Sequence, residues 1–173
     1  MKSKSTLRLT QTALLSAVAL VLSYIEMSLP DLLFVLPGMK LGLSNIVTMF
    51  ALTSMSFPCA LVVCLVKAVF ALLMRGFTAF MMSLCGGLLS LVAMYLLIKF
   101  KKIGFVGIGV GGAFCHNLGQ ILVAYFFTDS TVFAYFFVLG FASVITGTVT
   151  ALAVYIILPK VLKLGLYQTR EET

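Results

Sequence analysis

Long apolar runs separated by short polar breaks fill this chain from end to end. About 20 consecutive apolar residues are needed to cross the hydrocarbon core of a bilayer as a helix. The first run covers residues 9–27. A segment from Ser28 to Lys40 follows, with Pro30 and Pro37 as helix stops. The second run covers 41–54. The third, 58–74, starts at Pro58, a residue suited to a first helical turn. Arg75 and Gly76 make the next turn. The fourth run, 77–98, ends at Lys99, Lys101 and Lys102. The fifth covers 103–127 and is followed by the polar turn Thr128, Asp129, Ser130. The sixth covers 131–158 and stops at Pro159. The pattern predicts an all-α integral membrane protein, a single transmembrane domain over residues 1–173 built as a six-helix bundle.

Charge gives the bundle a direction. Six alternating crossings place Lys2, Lys4 and Arg8 on the same side as Lys99, Lys101 and Lys102, and as Lys160, Lys163 and Arg170. Basic residues collect on the cytoplasmic side of membrane proteins. Both termini are therefore expected in the cytoplasm, with Glu26, Asp31, Lys40, Arg75 and Asp129 outside. Five or seven crossings would split the basic clusters. The first run is too long for a signal-peptide core and has no A-x-A cleavage site, so it reads as a retained helix.

The second run is short. Its 14 residues give roughly 21 Å against about 30 Å of hydrocarbon. The segment before it contains Leu32, Leu33, Phe34, Val35 and Leu36, too apolar for a free external loop. Irregular backbone at membrane depth must be buried in protein or line a wet cavity. A site is expected in the outer half of the bundle, with this segment as its cover.

Composition removes several classes of function. Hydrophobic residues make up 62% of the 173 residues and charged ones 10%, too few to coat a water-facing surface. The net charge of +7 belongs to the run ends, so it does not point to nucleic acid. Cys59, Cys64, Cys85 and Cys115 lie in apolar runs without a CxxC pair and read as small buried residues. There is no P-loop, no Asp-rich run to hold Mg²⁺ on a diphosphate, and no Ser–His–Asp or Cys–His arrangement. No catalytic residue, metal site or cofactor is expected.

Polar residues inside the runs are the candidates for chemistry. Lys67 falls nine residues past Pro58, about 14 Å into the third span, where a charge costs about 2.5 kcal/mol or more. It should face the interior, as a structural strut or as the counter-charge for an anionic ligand. His116, Asn117 and Gln120 lie mid-way along the fifth span. His116 and Gln120 share a face, with Asn117 offset by about 100°. They could bond neighbouring helices or a ligand. Lys40, Asn45 and Thr48 sit at the outer start of the second span. Glu26 reads as a rim residue pairing with Lys40 or Arg75. Small residues four apart mark close helix contacts: Ala13 and Ala17 in the first span, Gly107 and Gly111 in the fifth, and Ser143, Gly147 and Ala151 in the sixth.

Three segments carry a resemblance: PGMKLGLSN from Pro37 to Asn45, SLCGGLLSLVAM from Ser83 to Met94, and GAFCHNLGQ from Gly112 to Gln120. In order, they resemble the hallmarks of the Gx transporter family, long labelled heptaprenyl diphosphate synthase component I. The resemblance implies a protein similar to the substrate-binding S components of energy-coupling factor transporters. Such a subunit sits in the cell membrane and takes a vitamin or precursor from outside. It docks on a coupling transmembrane subunit served by two ATPases. Ala13 and Ala17 match the small-residue docking pattern of those first helices. The polar residues read above supply the expected ligand set, Lys40, Asn45, Lys67, Arg75, His116, Asn117 and Gln120, for a small anionic vitamin, isoprenoid or quinone-related precursor.

The older label implies a different role. The chain would be a noncatalytic component of heptaprenyl diphosphate synthesis, partnered by a catalytic prenyl synthase subunit. A third reading, a self-sufficient channel or secondary transporter, finds no inverted repeat between the two halves of the sequence.

Overall fold

The structure is a computed structural model. It describes residues 4–28, 42–100, 102–127 and 136–163. These form six helices: α1 (Lys4–Ser28), α2 (Asn45–Ser54), α3 (Phe57–Arg75), α4 (Phe77–Lys99), α5 (Phe105–Phe127) and α6 (Phe136–Lys163). There is no strand among the described residues. All but α2 are long and apolar enough to cross a membrane, which makes five such helices.

Local chemistry sets the clearest boundaries. Ser56 is extended, and Pro58 opens the first turn of α3, where its missing N–H costs nothing. Gly76 has φ +84°, a conformation that L side chains rarely adopt. Its N–H donates to Leu72 O at 3.0 Å, closing α3, and its carbonyl accepts from Phe80 N–H at 3.1 Å, opening α4.

Three boundaries depart from the sequence pattern, the first being that of α1, which begins at Lys4 rather than at residue 9. α2 begins at Asn45 rather than at residue 41, so it has 10 residues and spans about 15 Å. α6 does not stop at Pro159 but continues to Lys163. A proline so close to a helix end removes one backbone hydrogen bond and leaves the rest of the last turn intact.

The short helix lies at the centre. α2 packs against α1, α3, α4 and α6, and its apolar side chains Val47, Met49, Phe50, Ala51 and Leu52 are all buried. A helix that is apolar all round is a core helix. Val63, Leu91, Met94, Ile108, Ala151 and Val154 complete that core. α5 lies between α4 and α6, with its most extensive contacts on those two. On the outside, Leu73, Phe126, Phe137 and Phe141 each expose more than three quarters of their surface. Contiguous apolar surface of this kind is what lipid covers.

Glycine allows α5 its close neighbours. A Cβ on Gly119 would lie 2.7 Å from Gly86 Cα of α4, and one on Gly147 of α6 would lie 2.7 Å from Gly109 O of α5. The crossing on α6 therefore uses Gly109, not the Gly107–Gly111 pair that the spacing suggested. A Cβ on either of those would meet the side chain of Ile103 or Leu97 first. The stripe Ser143, Gly147, Ala151 is buried within the bundle, whereas Ala13 and Ala17 remain exposed on α1. They border a groove shared with Val62 and Val66 of α3.

Candidate ligand-binding site

Lys67 lies ten residues into α3, about 15 Å along its axis. Lipid offers no hydrogen bonds to an ammonium at that depth, so the side chain must turn inward. It does: Lys67 is buried, and its Nζ donates to Asn45 Oδ1 at 2.9 Å and to Thr48 Oγ1 at 3.4 Å. Asn45 and Thr48 are three residues apart on α2 and so present both oxygens to one side.

A second charge holds the same segment from α1. Glu26 is 1% exposed, and its Oε1 accepts the backbone N–H of Gly42 and, at 3.4 Å, that of Leu43. These amides belong to the turn that leads into α2, where Asn45 N–H donates to Gly42 O at 2.8 Å. Backbone amides at a helix start lack intrahelical partners, and a carboxylate there is favoured by the helix dipole. Glu26 is thus a buried cap on another helix, not the rim residue that its place at the end of a span suggested.

Glycine at position 42 suits the space between these groups. Its φ is +84°, and a Cβ would lie 3.0 Å from Asn45 Nδ2 and 3.8 Å from His116 Cδ2. Those distances bring α5 to the same spot. His116 is buried, and its Nε2 lies 3.2 Å from Gln120 Nε2, one turn along α5. Behind it, a Cβ on Gly86 would lie 2.8 Å from His116 O, so α4 backs the histidine without a side chain. Gln120 Oε1 is buried and has no hydrogen-bond partner among the described residues.

Asn117 points elsewhere. Its Nδ2 donates to Ser143 Oγ at 2.8 Å and to Leu139 O at 3.3 Å, both on α6. The 100° between neighbouring helical residues is enough to send His116 toward α2 and Asn117 toward α6. Asn117→Leu is expected to lower stability by about 1 kcal/mol, the scale of an interhelical hydrogen bond in a membrane. Thermal unfolding in detergent measures that loss. Retention of small molecules by the folded variant should not change.

Of the candidates named from sequence, Asn45, Lys67, His116 and Gln120 come together around the start of α2. Arg75 is eight residues beyond Lys67, about 12 Å along α3 at its exposed end, and does not join them. Lys40, and the segment proposed as a cover, lie outside the described residues. Glu26 and Gly42 join the cluster without having been assigned to it. An acidic residue at the end of an apolar run was visible in the sequence, but its burial was not.

The cluster therefore contains a primary ammonium, a carboxylate, an imidazole and two amides inside an otherwise apolar bundle. The neutral oxygens of Asn45 and Thr48 hold the ammonium as the oxygens of an anion could. A family model described as heptaprenyl diphosphate synthase component I matches residues 15–157, a stretch that contains every residue of the cluster. Neither a curated protein nor a solved structure matches the chain.

Proposed function

The chain belongs to the heptaprenyl diphosphate synthase component I family, and from that premise we propose that it is a membrane-embedded binding subunit for a small anionic molecule. The observation that carries this reading is the buried Lys67 ammonium at the start of α2, bonded to Asn45 and Thr48. A ligand carboxylate or phosphate takes over from these neutral oxygens as charge-assisted partner of the ammonium. His116 and Gln120 orient the rest of the ligand by hydrogen bonds. The ligand is a vitamin, isoprenoid or quinone-related precursor.

In this reading the chain makes six crossings of the cell membrane, α2 counting as the second, with both ends in the cytoplasm. The outer half of the bundle holds the site. The chain binds its ligand in the manner of an S component, and separate ATPase subunits supply the energy through a coupling membrane subunit. Ala13 and Ala17, exposed beside a groove, are the docking face for that subunit.

Two measurements test the proposal. Small molecules extracted from the purified protein are identified by mass spectrometry, in wild type and in Lys67→Met. An anion retained by the first and missing from the second supports the reading; identical extracts overturn it. Ala13→Leu with Ala17→Leu is expected to cut recovery of co-purifying ATPases at least about tenfold, with the small-molecule extract unchanged. A leucine pair adds bulk at the point where close backbone approach is needed. Unchanged recovery removes this face from docking.

The family description favours a second reading, an accessory, noncatalytic partner of a prenyl diphosphate synthase. Among the described residues no group of three or more His, Cys, Asp or Glu side chains could hold a metal ion. Diphosphate chemistry with Mg²⁺ would then fall to the partner. Co-purification of an Asp-rich prenyl synthase in place of ATPases decides for this reading.

A further inference from the structure

We propose that the side-chain oxygen of Gln120 makes the site selective for anions that also carry an N–H or O–H donor away from their charged end. This rests on the anion-binding reading above and narrows the ligand class of the same site.

Gln120 is 1% exposed. Its amide nitrogen is engaged, 3.2 Å from His116 Nε2 one turn back on α5. Its Oε1 is buried and has no hydrogen-bond partner among the described residues. Roughly nine in ten or more buried polar groups are bonded, so an orphan of this kind calls for a reason. An unbonded carbonyl has lost its hydration and gained nothing in its place. The neighbouring turn of α4 cannot supply a side-chain donor. It presents Gly86, so close that a Cβ on Gly119 would lie 2.7 Å from Gly86 Cα.

The orphan oxygen belongs to the same row of groups as the ammonium. Lys67 Nζ donates to Asn45 Oδ1 at 2.9 Å. Asn45 Nδ2 lies 3.0 Å from a Cβ built on Gly42, and His116 Cδ2 lies 3.8 Å from that point. Cδ2 and Nε2 are adjacent ring atoms, so one edge of the imidazole leads from Gly42 to Gln120. The row runs Lys67, Asn45, Gly42, His116, Gln120. A cation stands at one end and an unanswered acceptor at the other.

A ligand lying along this row is read at two points. Its carboxylate or phosphate meets Lys67, and a hydroxyl or N–H meets Gln120 Oε1. A site with a buried acceptor discriminates against an analogue that lacks the donor, because the acceptor is then sealed in unpaired. A prenyl diphosphate, an anion on a bare hydrocarbon tail, leaves Gln120 unanswered. A hydroxy acid or an amide-bearing acid does not. His116 sets the direction of this bond. A ring nitrogen without a proton accepts the amide N–H and leaves the amide oxygen for the ligand. The other tautomer would turn the amide over and offer the ligand a donor, which an ether satisfies as well as an alcohol.

The probes are ω-hydroxyhexanoate, ω-hydroxyoctanoate and ω-hydroxydecanoate, each beside its ω-methyl ether. The alcohol donates, and the ether only accepts. Calorimetric titration of the full chain in lipid nanodiscs gives the affinities. At the chain length that spans the row, wild type is expected to bind the alcohol at least about tenfold tighter than the ether. Gln120→Met keeps the length of the side chain and removes the amide. The alcohol-to-ether ratio should fall there by the same factor, and the bulk of the ether methyl cancels in that comparison. Alcohol and ether bound alike by wild type at every length, or an unchanged ratio in Gln120→Met, overturns the selectivity. If that binding still needs Lys67, the anion site stands. Alcohol affinity indifferent to Lys67→Met overturns the anion site, and the selectivity with it.

Isotope-edited infrared spectroscopy of wild type gives a second measurement that does not depend on the folding of a variant. The glutamine side-chain carbonyl band should move to lower frequency when the alcohol binds and stay in place with the ether. A band unmoved by bound alcohol overturns the proposal.

Discussion

Replacing Lys67 with methionine is expected to weaken binding of geranate, an isoprenoid carboxylate of the ligand class proposed above, by about 10- to 100-fold. A hydrogen bond to a charged group is worth about 1.5–3 kcal/mol, and each 1.4 kcal/mol is a factor of ten. Methionine keeps the length and apolar stem of lysine, so the packing of α3 against α2 changes little. What is lost is the ammonium that bridges to Asn45 and Thr48. Lys67→Arg keeps the charge but brings a planar fork into a space shaped for a compact ammonium. It should fall between wild type and Lys67→Met. Thr48→Val removes only the longer of the two bonds, at 3.4 Å, and should cost less than threefold. Calorimetric titration gives all four affinities. A Lys67→Met protein that binds geranate as wild type does would make Lys67 a strut for α2 and nothing more.

That prediction depends on a residue that sequence alone had marked. Lys67 stood out because a charge nine residues past a helix-starting proline has nowhere to go but inward. The same logic found His116 and Gln120. Pro58 and Gly76 fixed α3 and α4 to within a residue or two, because each acts on its own backbone. The start of α2 was harder to read. It is set by Gly42 at positive φ and by a carboxylate from another helix, and neither leaves a periodic signal. Glu26 was misplaced for the same reason: its position in α1 is local, but its burial comes from α2 and the turn before it. Asn117 was visible as a polar residue offset from His116. Which neighbour it would face was not, because Ser143 lies 26 residues away on a helix whose register only packing decides. Small-residue spacing pointed to Gly107 and Gly111, yet the crossing falls on Gly109, between them. The five long apolar helices were clear from run length, since each needs only its own composition to cross a bilayer.

The other large effect is expected at that crossing. Gly147→Val should destabilise the bundle by about 3 kcal/mol, the upper end for forcing extra carbons into a packed interior. The position allows no easy relief. A Cβ there would meet backbone, Gly109 O at 2.7 Å and the Val110 N at the same distance, and backbone cannot rotate away as a side-chain tip can. The helices must separate instead. Without a hydrophobic drive between helices in lipid, close packing is much of what holds them together. Separation would also strain the Asn117–Ser143 bond one turn away. Gly140→Ala on the same helix is the control. Among the described residues nothing lies within 4 Å of a Cβ at that position, and alanine is the better helix former by about 0.5–1 kcal/mol. It should be neutral or mildly stabilising. Thermal unfolding of the three proteins in one detergent decides the matter. Because α5 carries His116 and Gln120 while α6 carries Ser143, a displaced α6 frees one side of α5. Gly147→Val that remains folded should therefore also lose geranate affinity, though no residue of the site has changed. A Gly147→Val protein as stable as wild type would mean that α6 is not seated on Gly109 and Val110, and the placement of His116 beside Gly42 would lose its support.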